Sequence, residues 1–252
     1  MGDRDDAVAS PRTPLALRLT DVHIEYELFA ERRAALRDRF ASRAGDGRRV
    51  VRAVNGVSFD VYEGESVGML GSNGSGKSTL LAAIAGLLAP VAGEILVSAE
   101  PKLMGVGATL IPAASGYRNI RLGCLALGMS PDAIEEQFDE IAAFTELGDA
   151  LERPLRTFSS GMRARLHFAI ATAMTPRILL IDEALAVGDK GFKAKSAARI
   201  SDMLADAGTL LLVSHSMAEL QSHCKRGIWI DKGIVRMDGP IDDVITAYAA
   251  EG

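Results

Sequence analysis

Gly71-Ser72-Asn73-Gly74-Ser75-Gly76-Lys77-Ser78-Thr79 fits the pattern G-x-x-x-x-G-K-[ST] in full. Its flanks give it the right setting. Ser66-Val67-Gly68-Met69-Leu70 is a short apolar run suited to a buried strand. Thr79-Leu80-Leu81-Ala82-Ala83-Ile84-Ala85-Gly86 reads as a helix that ends near Pro90. Strand, glycine loop and helix are what binding a polyphosphate needs. Glycines let backbone N–H groups close around a phosphate, and the helix N-terminus adds positive potential. In such a loop Lys77 reaches the β- and γ-phosphates of a nucleotide and Ser78 ligates Mg²⁺. A glycine loop arising by chance has neither the strand nor the helix.

Further along, Ile178-Leu179-Leu180-Ile181 reads as a strand buried on both faces and ends at Asp182-Glu183. At the C-terminal edge of such a strand, beside the phosphate loop, Asp182 holds Mg²⁺ through water. The next carboxylate, Glu183, orients or deprotonates the attacking water. A solvated acidic pair is the plain alternative, and the company of apolar strand and phosphate loop weakens it. Thr209-Leu210-Leu211-Leu212-Val213-Ser214 is a third apolar run and ends at His215. Alone, His215 is an ordinary loop histidine; at the edge where the phosphates sit it is a γ-phosphate contact. His23, His167 and His223 have no comparable setting and read as structural. Phe158-Ser159-Ser160-Gly161-Met162 opens a helical segment expected from Arg163 to Met174. It is a second small-residue helix start of phosphate size, and it points to a site shared between two copies of the chain.

The order Gly71–Thr79, Phe158–Met162, Asp182-Glu183, Ala186-Val187-Gly188-Asp189, His215 resembles the ATP-binding cassette (ABC) ATPases, over nearly the whole chain from Leu15 to Met237. The spelling Ser159-Ser160-Gly161-Met162 is similar to ABC ATPases that export O-antigen, teichoic acid or mycobacterial-type galactan. So are Asp182-Glu183-Ala184-Leu185-Ala186-Val187-Gly188-Asp189 and Ser214-His215-Ser216 followed by Cys224, Arg226 and Trp229. The resemblance implies an α/β P-loop NTPase fold: a RecA-like core, an antiparallel β subdomain and an inserted α-helical subdomain. It implies ATP and Mg²⁺ as ligands. It also implies a homodimer in which Ser159, Ser160, Gly161 and Met162 close on ATP held by the opposite copy. Asp189 then lies at the dimer seam, Glu183 is the catalytic base, and His215 is the γ-phosphate switch. Tyr26, on the alternating stretch Val22, Ile24, Tyr26, is either the aromatic that stacks on adenine or plain core packing.

Two departures stand out. ABC cassettes usually carry a glutamine between the phosphate loop and the helical subdomain, but Gly105-Val106-Gly107-Ala108-Thr109-Leu110 has none, and Gln137 and Gln221 fall elsewhere. The second departure is an insertion from Glu27 to Arg52 that contains Arg32, Arg33, Arg37, Arg39, Arg43, Arg48, Arg49 and Arg52. Phe29, Leu36 and Phe40 share one face of a short helix there. That segment is either a solvated face or a basic amphipathic helix against anionic lipid or a membrane partner. Nucleic acid is disfavoured: the chain carries a net charge of −5, and no aromatic ladder accompanies the arginines.

The chain has 252 residues, 48% of them apolar, enough for one large α/β domain with a substantial core. Cys124 and Cys224 are isolated and suit a reducing cytosol. No apolar run has the length of a membrane span. Residues 1–14 read as a disordered lead and 15–252 as a single nucleotide-binding domain, with the basic insertion at 27–52 and a helical subdomain at about 115–175. Strands are expected at Leu15–Leu19, at Val22–Tyr26 and through Val57, Phe59 and Val61. Ser130-Pro131 starts a helix whose Ile134, Phe138 and Ile141 share a face; a hairpin spans Ile228–Val235 and a closing helix Ile241–Ala250. A carbohydrate-binding domain after that helix is not expected, and aromatics make up only 5% of the chain, so no sugar affinity is expected of this subunit alone.

The function expected is an ATP-hydrolysing subunit that homodimerises at the cytoplasmic face of the bacterial cytoplasmic membrane. It would drive a separate polytopic permease that exports a lipid-linked cell-envelope polysaccharide. The rivals are a soluble ABC ATPase outside transport, for which paired cassettes or a coiled-coil insertion are wanting, and a low-turnover regulatory module.

Overall fold

In the computed structural model, residues 13–29, 48–104, 110–182, 190–206 and 208–251 are described. Their strands sort into two sheets according to how the apolar residues are spaced. β1 (Leu15–Phe29) buries Leu17 and Leu19, then Val22 and Ile24. The buried set changes from odd to even positions. A strand with a period of two accommodates that change only by inserting a residue. The irregularity sits between Leu19 and Val22, where Asp21 takes φ 50°. The two stretches expected at Leu15–Leu19 and Val22–Tyr26 are therefore one bulged strand. β1 is the centre of a three-stranded antiparallel sheet, between β2 (Arg48–Tyr62) and β4 (Ala92–Val97).

The hairpin of β1 and β2 corrects part of the reading of the basic segment. Glu27 pairs with Val50 and Phe29 with Arg48. Residues 27–29 and 48–52 are thus ladder-paired strand, and Phe29 does not begin a helix. Arg52 reaches across the pair, its Nε donating to Glu25 Oε1 at 2.9 Å. Leu36, Phe40 and Arg32, Arg33, Arg37, Arg39 and Arg43 lie outside the described residues.

The second sheet has six strands in the order β5-β6-β7-β3-β8-β9. β3 (Ser66–Leu70), β5 (Pro101–Met104), β6 (Ile178–Asp182), β7 (Thr209–Val213) and β8 (Arg226–Asp231) run parallel, and β9 (Ile234–Pro240) is antiparallel at the edge. The parallel strands are covered on both faces, which is why β6 and β7 read as unbroken apolar runs. Arg226 joins the two sheets. Its Nε and Nη2 donate to the two oxygens of Asp238, both at 2.7 Å, while Nη1 donates to the Asp60 carbonyl at 2.8 Å and to Glu65 Oε2 at 3.0 Å. A half-buried guanidinium with that many charge-assisted bonds is a rigid tie.

α1 (Lys77–Ile84) follows β3. Between β5 and β6 lies a helical region: α2 (Gly116–Ala126), α3 (Pro131–Phe144), short 3₁₀ turns at Gly148–Glu152 and Leu155–Thr157, and α4 (Ser160–Ala171). Ser130 caps α3 by accepting the Ala133 N–H at 3.2 Å, with Pro131 at the first helical position. Ile134 and Ile141 are buried and Phe138 is half-buried, in a core shared with Ile120, Leu151, Phe158 and Leu166. α5 (Lys190–Asp206) packs against this region through rings. Phe192 meets Phe144 and Phe168 edge-on, at centroid distances of 5.7 and 5.9 Å, and Phe144 stacks on Phe168 at 5.9 Å. Around them Glu146 binds Arg165 at 2.9 Å and Lys195 at 3.1 Å. α6 (Met217–His223) and α7 (Ile241–Glu251) complete the core side, α7 placing Tyr248 edge-on to buried Trp229. Among the described residues, no helix is long and apolar enough to cross a membrane.

Candidate functional site

The loop from Gly71 to Gly76 lies directly against two strands. A Cβ on Gly71 would stand 2.1 Å from the Ile230 carbonyl oxygen, and one on Gly76 would stand 2.2 Å from that of Ala53. Gly76 also takes φ 107°, a region costly for residues with a side chain. Both positions therefore require glycine. Ser75 is buried, and its N–H donates to the Ser72 carbonyl at 3.1 Å, tightening the loop. Lys77 folds back over the same loop: its ammonium donates to the carbonyls of Gly71 at 2.7 Å and Ser72 at 3.0 Å, and to Ser75 Oγ at 3.4 Å. Ser72, Asn73, Gly74 and Ser78 are exposed, and Thr79 is half-buried. No side chain caps the start of α1, so its first N–H groups are left for a ligand. An uncapped helix start, a backbone cradle and a lysine at its mouth fit a nucleotide polyphosphate.

The sheet brings the other strand-end residues to the same edge. Val213, at the end of β7, is level with Met69 of β3 on one side and with Asp182 of β6 on the other. His215 lies two residues beyond Val213, is exposed, and so falls between the phosphate loop and half-buried Asp182. Glu183, the expected base, and Asp189, the expected seam residue, lie outside the described residues, as do residues 105–109, in the stretch where ABC cassettes usually carry a glutamine. Tyr26 is exposed, its hydroxyl donating to Thr79 Oγ1 at 3.4 Å near the start of α1. Core packing does not account for that ring.

Ser159, Ser160 and Gly161 are exposed at the start of α4, with Met162 half-buried. The helix begins three residues earlier than expected, because Ser159 Oγ accepts the Met162 N–H at 3.2 Å and caps it. That hydroxyl accepts within its own chain and keeps its proton for an external acceptor. Phe158 anchors the turn in the helical core, and Arg163 Nη1 donates to the Phe158 carbonyl at 3.0 Å. This helix start belongs to the helical region, and the phosphate loop, Asp182 and His215 belong to the six-stranded sheet.

Sequence reasoning missed Asn119. Its side chain is buried in α2, where Oδ1 accepts the Ile111 N–H at 2.6 Å and Nδ2 donates to the carbonyls of Ile111, Ala114 and Ser115 at 3.1, 3.3 and 2.9 Å. It pins the segment that leads from β5 into the helical region. Its one signal is an amide on the helix face that also carries Gly116, Ile120, Gly123 and Cys124.

A phosphate loop after a central parallel strand, an acidic strand end two strands away and a helical region between them define a P-loop nucleotide-binding cassette. The family model described as ABC transporter matches residues 54–186, just over half of the chain, and the chain belongs to the ABC transporter family. It is 40% identical over 196 residues to the teichoic acids export ATP-binding protein TagH of Listeria monocytogenes serotype 4b, covering 78% of this chain and 58% of that one. It is 37% identical over 250 residues to the O-antigen export system ATP-binding protein RfbB of Myxococcus xanthus, covering 98% of this chain and 56% of that one. The chain thus spans less than two thirds of the length of these relatives. Among solved structures it is similar in fold to an ATP-binding subunit of an ABC transporter (TM-score 0.68, 22% identity, 94% of this chain and 95% of that one). It is similar also to a dimeric post-hydrolysis cassette bound to ADP and Pi (TM-score 0.64, 21% identity, 89% and 98%).

Proposed function

We propose that this chain is the ATP-hydrolysing subunit of an ABC transporter that exports a lipid-linked cell-envelope polysaccharide through a separate membrane-spanning chain. What carries the reading is the similarity of the chain to export ATP-binding proteins of two polysaccharide systems, at 37% identity over 98% of its length for one and 40% over 78% for the other. On this reading the Gly71–Thr79 loop holds the ATP polyphosphate, with Lys77 exchanging its loop carbonyls for phosphate oxygens. Tyr26 stacks on adenine. Ser78, and Asp182 through water, would hold Mg²⁺, which when bound neutralises charge on the β- and γ-phosphates. Glu183 takes a proton from the attacking water, and His215 contacts the γ-phosphate.

Ser159, Ser160, Gly161 and Met162 close on the ATP of a second copy, with Asp189 at the seam between copies. A two-fold pair completes both sites at once, and closure on ATP followed by opening after hydrolysis drives the membrane chain. The exposed, self-capped start of α4 suits that role. The working location is the cytoplasmic face of the bacterial cytoplasmic membrane, held there by the permease.

The test is steady-state ATP hydrolysis with and without the co-encoded membrane chain in lipid nanodiscs, with Lys77→Ala as the blank. Hydrolysis stimulated by the membrane chain is the expected result. An absence of ATP turnover in both preparations would overturn the reading.

A further inference from the structure

The residues on either side of His215 are tied to one carboxylate. Ser214 Oγ donates to Glu219 Oε2 at 2.5 Å and accepts the Ser216 N–H at 3.0 Å. Ser216 Oγ in turn accepts the Glu219 N–H at 3.3 Å and caps α6. In an ordinary capping box the carboxylate at the third helical position reaches back to the N-cap N–H directly. Here the hydroxyl of Ser214 stands between them, so the box is enlarged by one residue and encloses residue 215. α6 itself needs only the Ser216 cap. The bonds made by Ser214 act on the loop, and the one to Glu219 is charge-assisted.

Both ends of this ring are fixed to the core. Val213 is laddered between β3 and β6, and Leu220, next to Glu219, is fully buried. Between those anchors, the side chains of Ser214, Ser216 and Glu219 close the ring, and His215 lies on the backbone within it. The backbone on which its imidazole rides has no slack.

We propose that Ser214 and Glu219 are positioning residues for His215, holding its backbone so that the imidazole meets the terminal phosphate of ATP. The inference rests on the reading of His215 given above. A phosphate contact misplaced by about 1 Å costs up to roughly a hundredfold in rate. Loosening one bond of the ring is accordingly expected to cost about tenfold. The loss should fall on steps that require a γ-phosphate and spare the binding of ADP, which lacks one.

The experiment compares wild type, Ser214→Ala, Ser214→Thr, Glu219→Gln and His215→Ala for ATP turnover and for ADP affinity. Expected is a kcat about tenfold lower in Ser214→Ala and Glu219→Gln, with ADP affinity and melting temperature kept, and recovery in Ser214→Thr, which restores the hydroxyl. A purely structural role would lower ADP affinity and melting temperature together, and that outcome overturns the inference. So does a loss confined to His215→Ala, which leaves the assignment of His215 standing. Wild-type turnover in His215→Ala removes the assignment of His215 and the inference with it. Should Ser214→Ala not fold, the exposed Glu219→Gln variant carries the same comparison.

Discussion

Gly233 and Ser75 are joined backbone to backbone, the Gly233 N–H donating to the Ser75 carbonyl at 2.8 Å. On its other side the Gly233 carbonyl accepts the Asn55 N–H at 2.8 Å. The turn between β8 and β9 is thus wedged between β2 and the phosphate loop. Gly233 takes φ 79°, and a Cβ there would lie 2.8 Å from the Ala53 carbonyl oxygen. Gly233→Ala is expected to weaken ATP binding about tenfold, because a positive φ alone costs about 1–2 kcal/mol and the turn must also shift. Gly239→Ala in β9, with no atom within 4 Å of its Cβ, should bind as wild type. Titration with a fluorescent ATP analogue makes the comparison, and equal affinity in all three proteins would refute it.

Phosphoryl transfer to water depends on positioning and electrostatics, so removing the base stops turnover and leaves the cradle intact. Glu183→Gln should bind Mg-ATP normally and hydrolyse it at least ~100-fold more slowly. Lys77→Ala should instead lose nucleotide affinity itself. Single-turnover hydrolysis beside equilibrium binding separates the two, and near-wild-type turnover in Glu183→Gln would remove its role.

The environment of Gly161 allows a clean test of the shared site. It is exposed, and an added Cβ meets nothing closer than Ser159 Oγ at 3.9 Å. Gly161→Trp should therefore change the stability of the single chain by no more than about 0.5–1 kcal/mol, the range for surface positions and helix glycines. In a Glu183→Gln background, light scattering should show ATP-dependent doubling of mass, and Gly161→Trp should abolish it while ATP still binds. A dimer that survives the tryptophan counts against the shared site.

Burial pushes the thiols up, Cys124 to about 11 and Cys224 to about 12, the latter also through the nearby charge of Glu219. The thiolate is the disfavoured form, so reactivity appears only as pH rises toward those values. At pH 8 roughly one Cys124 side chain in a thousand is ionised, fewer for Cys224. Native protein should resist iodoacetamide at pH 8 for hours and react at both positions once unfolded in guanidinium, as mass spectrometry would show. Rapid native labelling would contradict the packing around α2 and α6.

The parts legible in the sequence are those where one rule acts alone. β6 and β7 are buried on both faces and spell unbroken apolar runs, and the phosphate loop is dictated by the close approach of its backbone to Ile230 and Ala53. Where two influences compete, the reading slipped. The run of arginines set Glu27 to Arg52 apart as a basic insertion, with Phe29 on the apolar face of a helix, whereas the pairing of β1 with β2 and the β-branched Val50 and Val51 make both ends of that stretch strand. Serine and glycine are poor helix formers, which moved the expected start of α4 to Arg163, but the Ser159 cap outweighs their propensity. The bonds of Asn119 and the Ser214–Glu219 link span only four to eight residues but run from side chains into irregular loop backbone or across a loop, so no recurring spacing announces them, although Ser216-x-x-Glu219 does spell a capping box.

The ring contact of Phe144, Phe168 and Phe192 makes α4 and α5 mechanically one piece. Phe192 is completely shielded and Phe168 nearly so. Prising the helices apart would wet both rings at a cost of about 1.5–3 kcal/mol each. Against a thermal energy of about 0.6 kcal/mol, the parted arrangement would be visited by fewer than about one molecule in a hundred. The start of α4 at Ser160 is thereby coupled to α5 through the Phe168 ring, about 12 Å along the helix axis.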